Sequence, residues 1–134
     1  MNEVVLDASA FLAFLRNEPG GAKVAQELGN GAYISAVNWA EVLSKVLTLN
    51  IDCAKLISTL KIQGILGGAL IIMPLTEDDG LPIAELRTTT SKYGLSLGDH
   101  ACLVLASKMK GRAITADKNW QNVKLGSVKV EIIR

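Results

Sequence analysis

Aromatic side chains make up only 4% of this 134-residue chain, and it has just two cysteines and one histidine. Each shortage narrows the field. With so few rings, the core must be Leu, Ile, Val and Ala, a bias that suits a parallel sheet covered on both faces. Cys53 and Cys102 fall on apolar helical patterns with no second Cys or His at metal spacing. Buried free thiols in a reducing cytosol are therefore the better reading than a disulfide framework. Charge of one sign is lacking too: 14 basic residues face 13 acidic ones, for a net charge of +1. No global field draws the chain to nucleic acid or membrane, so any phosphate-binding surface must be a local patch.

Apolar runs fall short of the ~18–20 residues that span a bilayer. No basic segment followed by an apolar stretch reads as a secretory signal. The expectation is a soluble, cytoplasmic protein with no membrane association. Neither GxGxxG nor GxxxxGK[ST] occurs, and Gly20-Gly21 and Gly67-Gly68 read as turn glycines. Repeats, linkers and low-complexity tracts are absent as well. With 49% hydrophobic and 20% charged residues, a single domain over residues 1–134 is expected.

Short β-branched or aliphatic runs alternate with helical patterns. Residues 3–6 (EVVL), 32–35 (AYIS), 69–73 (ALIIM), 112–115 (RAIT) and 128–132 (VKVEI) read as strands. Between them lie helical stretches: ASAFLAFLRN after Asp7, residues 22–28, NWAEVLSKVLTL, and CAKLISTLKIQGIL capped by Asp52. Further on come a helix from Thr76 to about Tyr93 and LGDHACLVLASKM. The helix after Asp7 is apolar nearly all round, so it belongs inside the domain or against a second subunit. Alternation of this kind implies right-handed crossovers. The predicted fold is an α/β three-layer sandwich around a mostly parallel, roughly five-stranded sheet.

Ligands of such sheets gather at the carboxyl ends of the strands. Asp7 follows the first strand and Asp117 the fourth; Glu41 lies beyond the second, and Asp99 opens the helix that leads into the fourth. The remaining acids lack this placement. Glu3 and Glu131 fall within strands, and Glu18, Glu27 and Glu85 on turns or helix surfaces. Each site acid also has a plainer reading. Asp7 and Asp117 are suitable N-caps, and Ser96 with Asp99 and Asn38 with Glu41 have capping-box spacing. Together, four carboxylates on one edge repel one another and resist ionising, a penalty that a divalent cation removes. Without a His or Cys cluster, the cation is Mg²⁺ or Mn²⁺ rather than Zn²⁺. Held by carboxylates, it can activate water and neutralise a phosphodiester transition state.

The segments carrying these acids are VLDASA, ISAVNWAEV, LSLGDHACLVLA and TADKNW, in that order. They resemble the PIN-domain ribonucleases, specifically the toxin half of bacterial VapBC-type toxin–antitoxin pairs, over essentially the full length. The resemblance implies metal-dependent endonucleolytic cleavage of structured RNA, often tRNA or ribosomal RNA, which arrests translation. It also implies a homodimer and a cognate VapB-type antitoxin that pushes a basic or bulky side chain into the acidic pocket. By position, Asp7, Glu41, Asp99 and Asp117 carry over as the acidic quartet that binds metal and catalyses. Ser9 and Thr115 carry over as hydroxyls orienting ligands or water, with Asn38 a further polar neighbour. Relatives often have arginine after the third aspartate, where this chain has His100, so a contact with RNA or partner at that position is not carried over.

His100 sits beside Asp99, but helical neighbours point about 100° apart. A surface or supporting role is expected of it ahead of proton transfer. Lys108, Lys110 and Arg112 form a basic turn that reads either as a phosphate contact or as a solvated helix end. Lys118, Lys92, Arg16 and Lys45 are better placed to meet RNA. Trp39 and Trp120 read as packing residues ahead of base-stacking ones. A phosphorylated receiver domain is disfavoured because Asp7 stands alone and the third strand ends in Met73-Pro74. A DxDx phosphotransferase is disfavoured because Ser9 lies two residues after Asp7. The surviving rival is a non-catalytic PIN-like module that binds RNA or protein.

Overall fold

Strand β1 (Val4–Leu6) is buried along its whole length. Successive strand residues face opposite sides, so Val4 and Leu6 enter one apolar cluster and Val5 the other. The structure is a computed structural model and describes residues 3–126 and 128–134. Beside β1 lie β2 (Ala32–Ser35) and β4 (Arg112–Thr115), with β3 (Leu70–Met73) and β5 (Lys129–Ile132) at the edges. The order is β3-β2-β1-β4-β5 and every pairing is parallel. Registers such as Leu6↔Ile34 and Leu6↔Ile114 centre the sheet on β1. The predicted class holds, with a sheet that is wholly rather than mostly parallel.

Helices α1 (Ala8–Leu15), α2 (Gly21–Asn30), α3 (Ala36–Thr48) and α4 (Cys53–Ile62) supply Phe11, Val24, Val42 and Leu60 to the cluster around Val4 and Leu6. Helix α6 (Leu97–Lys108) covers the other face through Cys102, Leu103 and Ala106, with α5 (Gly80–Thr90) outside it. Three layers result. Helix α1 turns Ala10, Phe11 and Ala13 fully into the core, while Leu12, Phe14 and Leu15 are half-buried. Among the described residues, no helix is long and apolar enough to cross a membrane.

Several element ends differ from the sequence reading. The stretch from Thr76 to Tyr93 divides into a 3₁₀ turn at Glu77–Asp79, α5, and a second 3₁₀ turn at Ser91–Tyr93. Thr76 and Asp79 close the first turn as a reciprocal capping box, which leaves Pro82 in the first turn of α5, where its missing N–H does no harm. Helix α4 ends at Ile62, just before Gly64 turns with φ +76°, while α2 continues to Asn30, beyond its predicted end. Glu27 was expected on a helix surface but is buried. Its carboxylate accepts from Arg112 at 2.8 Å, and Arg112 also donates to Glu131 at 2.6 Å. The basic turn is likewise engaged internally, because Lys108 donates to Asp79 at 2.7 Å.

Candidate functional site

Strands β2 and β3 lie on one side of β1, and β4 and β5 on the other. Connections after β1 and β4 therefore diverge, leaving a crevice at the switch point of the sheet. Asp7 leaves β1 at that crevice, Asp117 follows β4, α3 carries Glu41, and the first turn of α6 carries Asp99. With Ala8, Ser9, Leu12, Asn38 and Lys45, these four acids line one open cleft of about 280 Å³. A larger groove of about 720 Å³ runs between α5, α6 and Lys124–Gly126 but gathers no cluster of acids. Chemistry rather than size marks the site.

Asp7 is 3% exposed and fully engaged. Its Oδ1 accepts from the backbone N–H of Ala10, which caps α1, and from Ser9 Oγ, each at 2.8 Å; its Oδ2 accepts from Thr115 Oγ1 at 2.5 Å. Both hydroxyls also accept from the backbone beyond β4: Ser9 Oγ from Ala116 N–H at 2.9 Å, Thr115 Oγ1 from Asp117 N–H at 3.0 Å. Ser9 and Thr115 thus tie the ends of β1 and β4 together through Asp7. Burial pushes the Asp7 carboxyl up to about 6; the hydrogen bonds from Thr115, Ala10 and Ser9 oppose this, and the charge of Asp99 adds to it.

Glu41 is held by a buried amide. Ser35 caps α3 by accepting from Asn38 N–H, and Ser35 Oγ donates to Asn38 Oδ1 at 2.7 Å. Asn38 Nδ2 then donates to Glu41 Oε1 at 2.8 Å and to the carbonyl of Gly98 at 3.1 Å. The capping-box spacing of Asn38 and Glu41 is not used as a box, because Ser35 already caps this helix. Ser96 and Asp99 do form one: Asp99 Oδ2 accepts from Ser96 N–H at 2.8 Å, and Ser96 Oγ accepts from Asp99 N–H at 3.1 Å. Asp117 Oδ1 caps the following 3₁₀ turn through Asn119 N–H at 2.9 Å. Capping and convergence hold together, since the caps fix where the carboxylates lie.

Among the described residues, no three His, Cys, Asp or Glu side chains are drawn together as a ligand group for one ion. In chemistry, the donor set fits a hard divalent cation. Its donors are oxygens alone. One oxygen each of Glu41, Asp99 and Asp117 takes no hydrogen bond from the described residues. The Asp7 carboxyl is raised chiefly by burial, with a smaller contribution from the charge of Asp99, and a cation in the cleft would favour its ionised form. Cys102, fully buried behind these acids, has its thiol pushed well up by burial and then by Asp7, Asp99 and Glu41, which leaves it unreactive.

Of the two expectations for His100, a surface or a supporting role, the structure shows the second. His100 is 2% exposed, not on the surface. Its Nδ1 donates to the Ser96 carbonyl at 2.6 Å, and its Nε2 pairs with Thr90 Oγ1 at 2.7 Å. The ring follows the inward face of α6 and links the end of α5 to the residue that caps Asp99. Of the basic candidates, Lys45 lines the cleft and Lys118 follows Asp117 directly. Arg16 pairs with Glu18 at 3.4 Å, Lys92 lies 5.3 Å from the Tyr93 ring centre, and neither lines the cleft. Trp120 is fully buried, its Nε1 without a hydrogen bond among the described residues, and Trp39 packs on Phe11 at 6.2 Å. Ser35 and Gly98 were missed. The Ser35-x-x-Asn38 spacing at a strand-to-helix junction carried the signal for the first.

The fold and cleft define an α/β domain of parallel strands with an acid-lined crevice at its switch point. The PIN domain family model matches residues 4–125, and the chain belongs to that family. A search of curated proteins finds no significant match. Solved structures of similar fold include VapBC2 from Rickettsia felis bound to a DNA fragment from their promoter, at 17% identity and TM-score 0.69 over 98% of each chain. A toxin–antitoxin complex from Klebsiella pneumoniae is similar at 15% identity and TM-score 0.66, over 94% of this chain and 95% of that one. VapBC-5 from Mycobacterium tuberculosis, of the VapBC family of toxin–antitoxin systems, is similar at 19% identity and TM-score 0.63, over 99% and 100%.

Proposed function

We propose that this PIN domain is a Mg²⁺- or Mn²⁺-dependent endoribonuclease that cleaves structured RNA, either tRNA or ribosomal RNA. It acts in the cytoplasm as the toxin of a VapBC-type pair and arrests translation. The observation that carries this reading is the convergence of Asp7, Glu41, Asp99 and Asp117 on one cleft of a PIN-family chain. These carboxylates would hold the cation, which when bound supplies the charge that activates water and neutralises a phosphodiester transition state.

The chain's own groups do the positioning. Ser9 and Thr115 fix both oxygens of Asp7, Asn38 fixes one oxygen of Glu41, and the α6 capping box fixes one of Asp99. Lys45 in the cleft and Lys118 beside it offer positive charge to the RNA backbone. Solved toxin–antitoxin complexes of the same fold support a VapB-type antitoxin as partner. A homodimer is part of the proposal. Its support is apolar surface left uncovered, with Leu81 and Leu97 exposed at 70% and 53% and Leu12, Phe14 and Leu15 of α1 half-buried.

Calorimetric titration of Mn²⁺ into the purified protein tests the site. Saturable binding, weakened at least about tenfold in Asp99→Asn, is expected. An absence of Mn²⁺ binding would contradict the proposal and favour a non-catalytic PIN-like module that binds RNA or protein.

A further inference from the structure

Gly98 stands in the first turn of α6, immediately before Asp99, yet it is not among the glycines with positive φ. Its backbone is ordinary helix, where alanine is the better residue and glycine is a loss. No turn geometry accounts for it. What the missing side chain provides is room. A Cβ built there would lie 2.7 Å from Glu41 Cδ and 2.9 Å from Glu41 Oε2. The buried Asn38 amide binds the same two partners, donating to Glu41 Oε1 at 2.8 Å and to the Gly98 carbonyl at 3.1 Å. One side chain therefore pins the Glu41 carboxylate against the start of α6.

We infer that Gly98 is a positioning residue of the cation site: its bare Cα is the seat on which the Glu41 carboxylate rests beside Asp99. This rests on the metal-dependent reading above. The atoms a Cβ would meet belong to the flexible end of Glu41, not to backbone. The helix can therefore accept alanine, and only the carboxylate yields. Stability and metal affinity separate as a result. A glycine kept for the helix alone would show no such split.

The test compares wild type, G98A and G29A by thermal unfolding without metal and by calorimetric titration with MnCl₂. Gly29 is the matched control, a helical glycine of α2 with open space where its Cβ would stand. G98A should unfold cooperatively at or above the wild-type midpoint while losing about 10- to 100-fold in Mn²⁺ affinity, the range typical of groups that orient metal ligands. G29A should keep wild-type affinity. Wild-type affinity in G98A would overturn this inference and leave the metal reading standing. A G98A chain without a cooperative transition would also overturn it, since the helix must tolerate the methyl group. No Mn²⁺ binding by wild type would overturn both.

Discussion

Asp7 does two things with one carboxylate. It caps α1 through Ala10, and it brings a buried negative charge to the cleft, where burial raises it to about 6. Because the folded value lies above the unfolded 3.8, the native state holds the proton more tightly than the unfolded chain. The stability this contributes is complete below about pH 4 and is lost as pH rises through about 6. Without metal, Asp7→Asn should therefore stabilise the protein at pH 7.5, on the order of 2–3 kcal/mol, and flatten its stability profile between pH 4 and 7. Mn²⁺ binding should fall in the same variant. Thermal unfolding across that pH range checks the first part; an Asn variant less stable than wild type at pH 7.5 would refute it. His100 shows what residue-level reading omits. Adjacency to Asp99 raised proton transfer, and the helical rotation of about 100° argued instead for a surface or supporting role; which of the two depended on Thr90 and the Ser96 carbonyl, the groups that hold the ring inside.

Among the elements, β4 joins two separate tasks at its two ends. Thr115 closes its carboxyl end onto Asp7, while Arg112 opens its amino end against Glu27 of α2 and Glu131 of β5. Glu27 is 6% exposed, so removing Arg112 would take away the hydrogen bond to a buried charge and leave it only Lys23, at 3.7 Å. Arg112→Ala should lower stability by about 3 kcal/mol, a loss expected when one partner of a buried pair is removed. Its Mn²⁺ affinity should remain that of wild type, since these groups lie at the opposite end of the strand from the cleft. Denaturant unfolding with a parallel metal titration reads both, and a loss of affinity would show that the two ends are coupled. Helix α6 behaves differently, for Asp99 is both a member of its capping box and a proposed ligand, so its start cannot be altered without moving the cleft.

At the scale of the molecule, the architecture was readable because each buried run was short, aliphatic and bounded by a turn. The strands at 32–35 and 112–115 match their predicted limits. Placement at strand ends located Asp7 and Asp117 directly, and the start of the helix that leads into the fourth strand located Asp99. Helix ends around Gly64 and Pro82 were less readable, since local turn geometry overrode the periodic pattern. Glu27 and Gly98 were not readable at all. Their surroundings come from partners far away in sequence, such as Arg112 for Glu27 and Glu41 for Gly98. The central claim, that the acidic cleft cuts RNA with a divalent cation, is tested most directly by incubating the purified protein with total tRNA and ribosomal RNA. Reactions with Mn²⁺, Mg²⁺ or EDTA would run beside an Asp99→Asn control. Discrete fragments that need the cation and vanish in the control are predicted; cleavage that persists in EDTA or in Asp99→Asn at the wild-type rate would contradict the account.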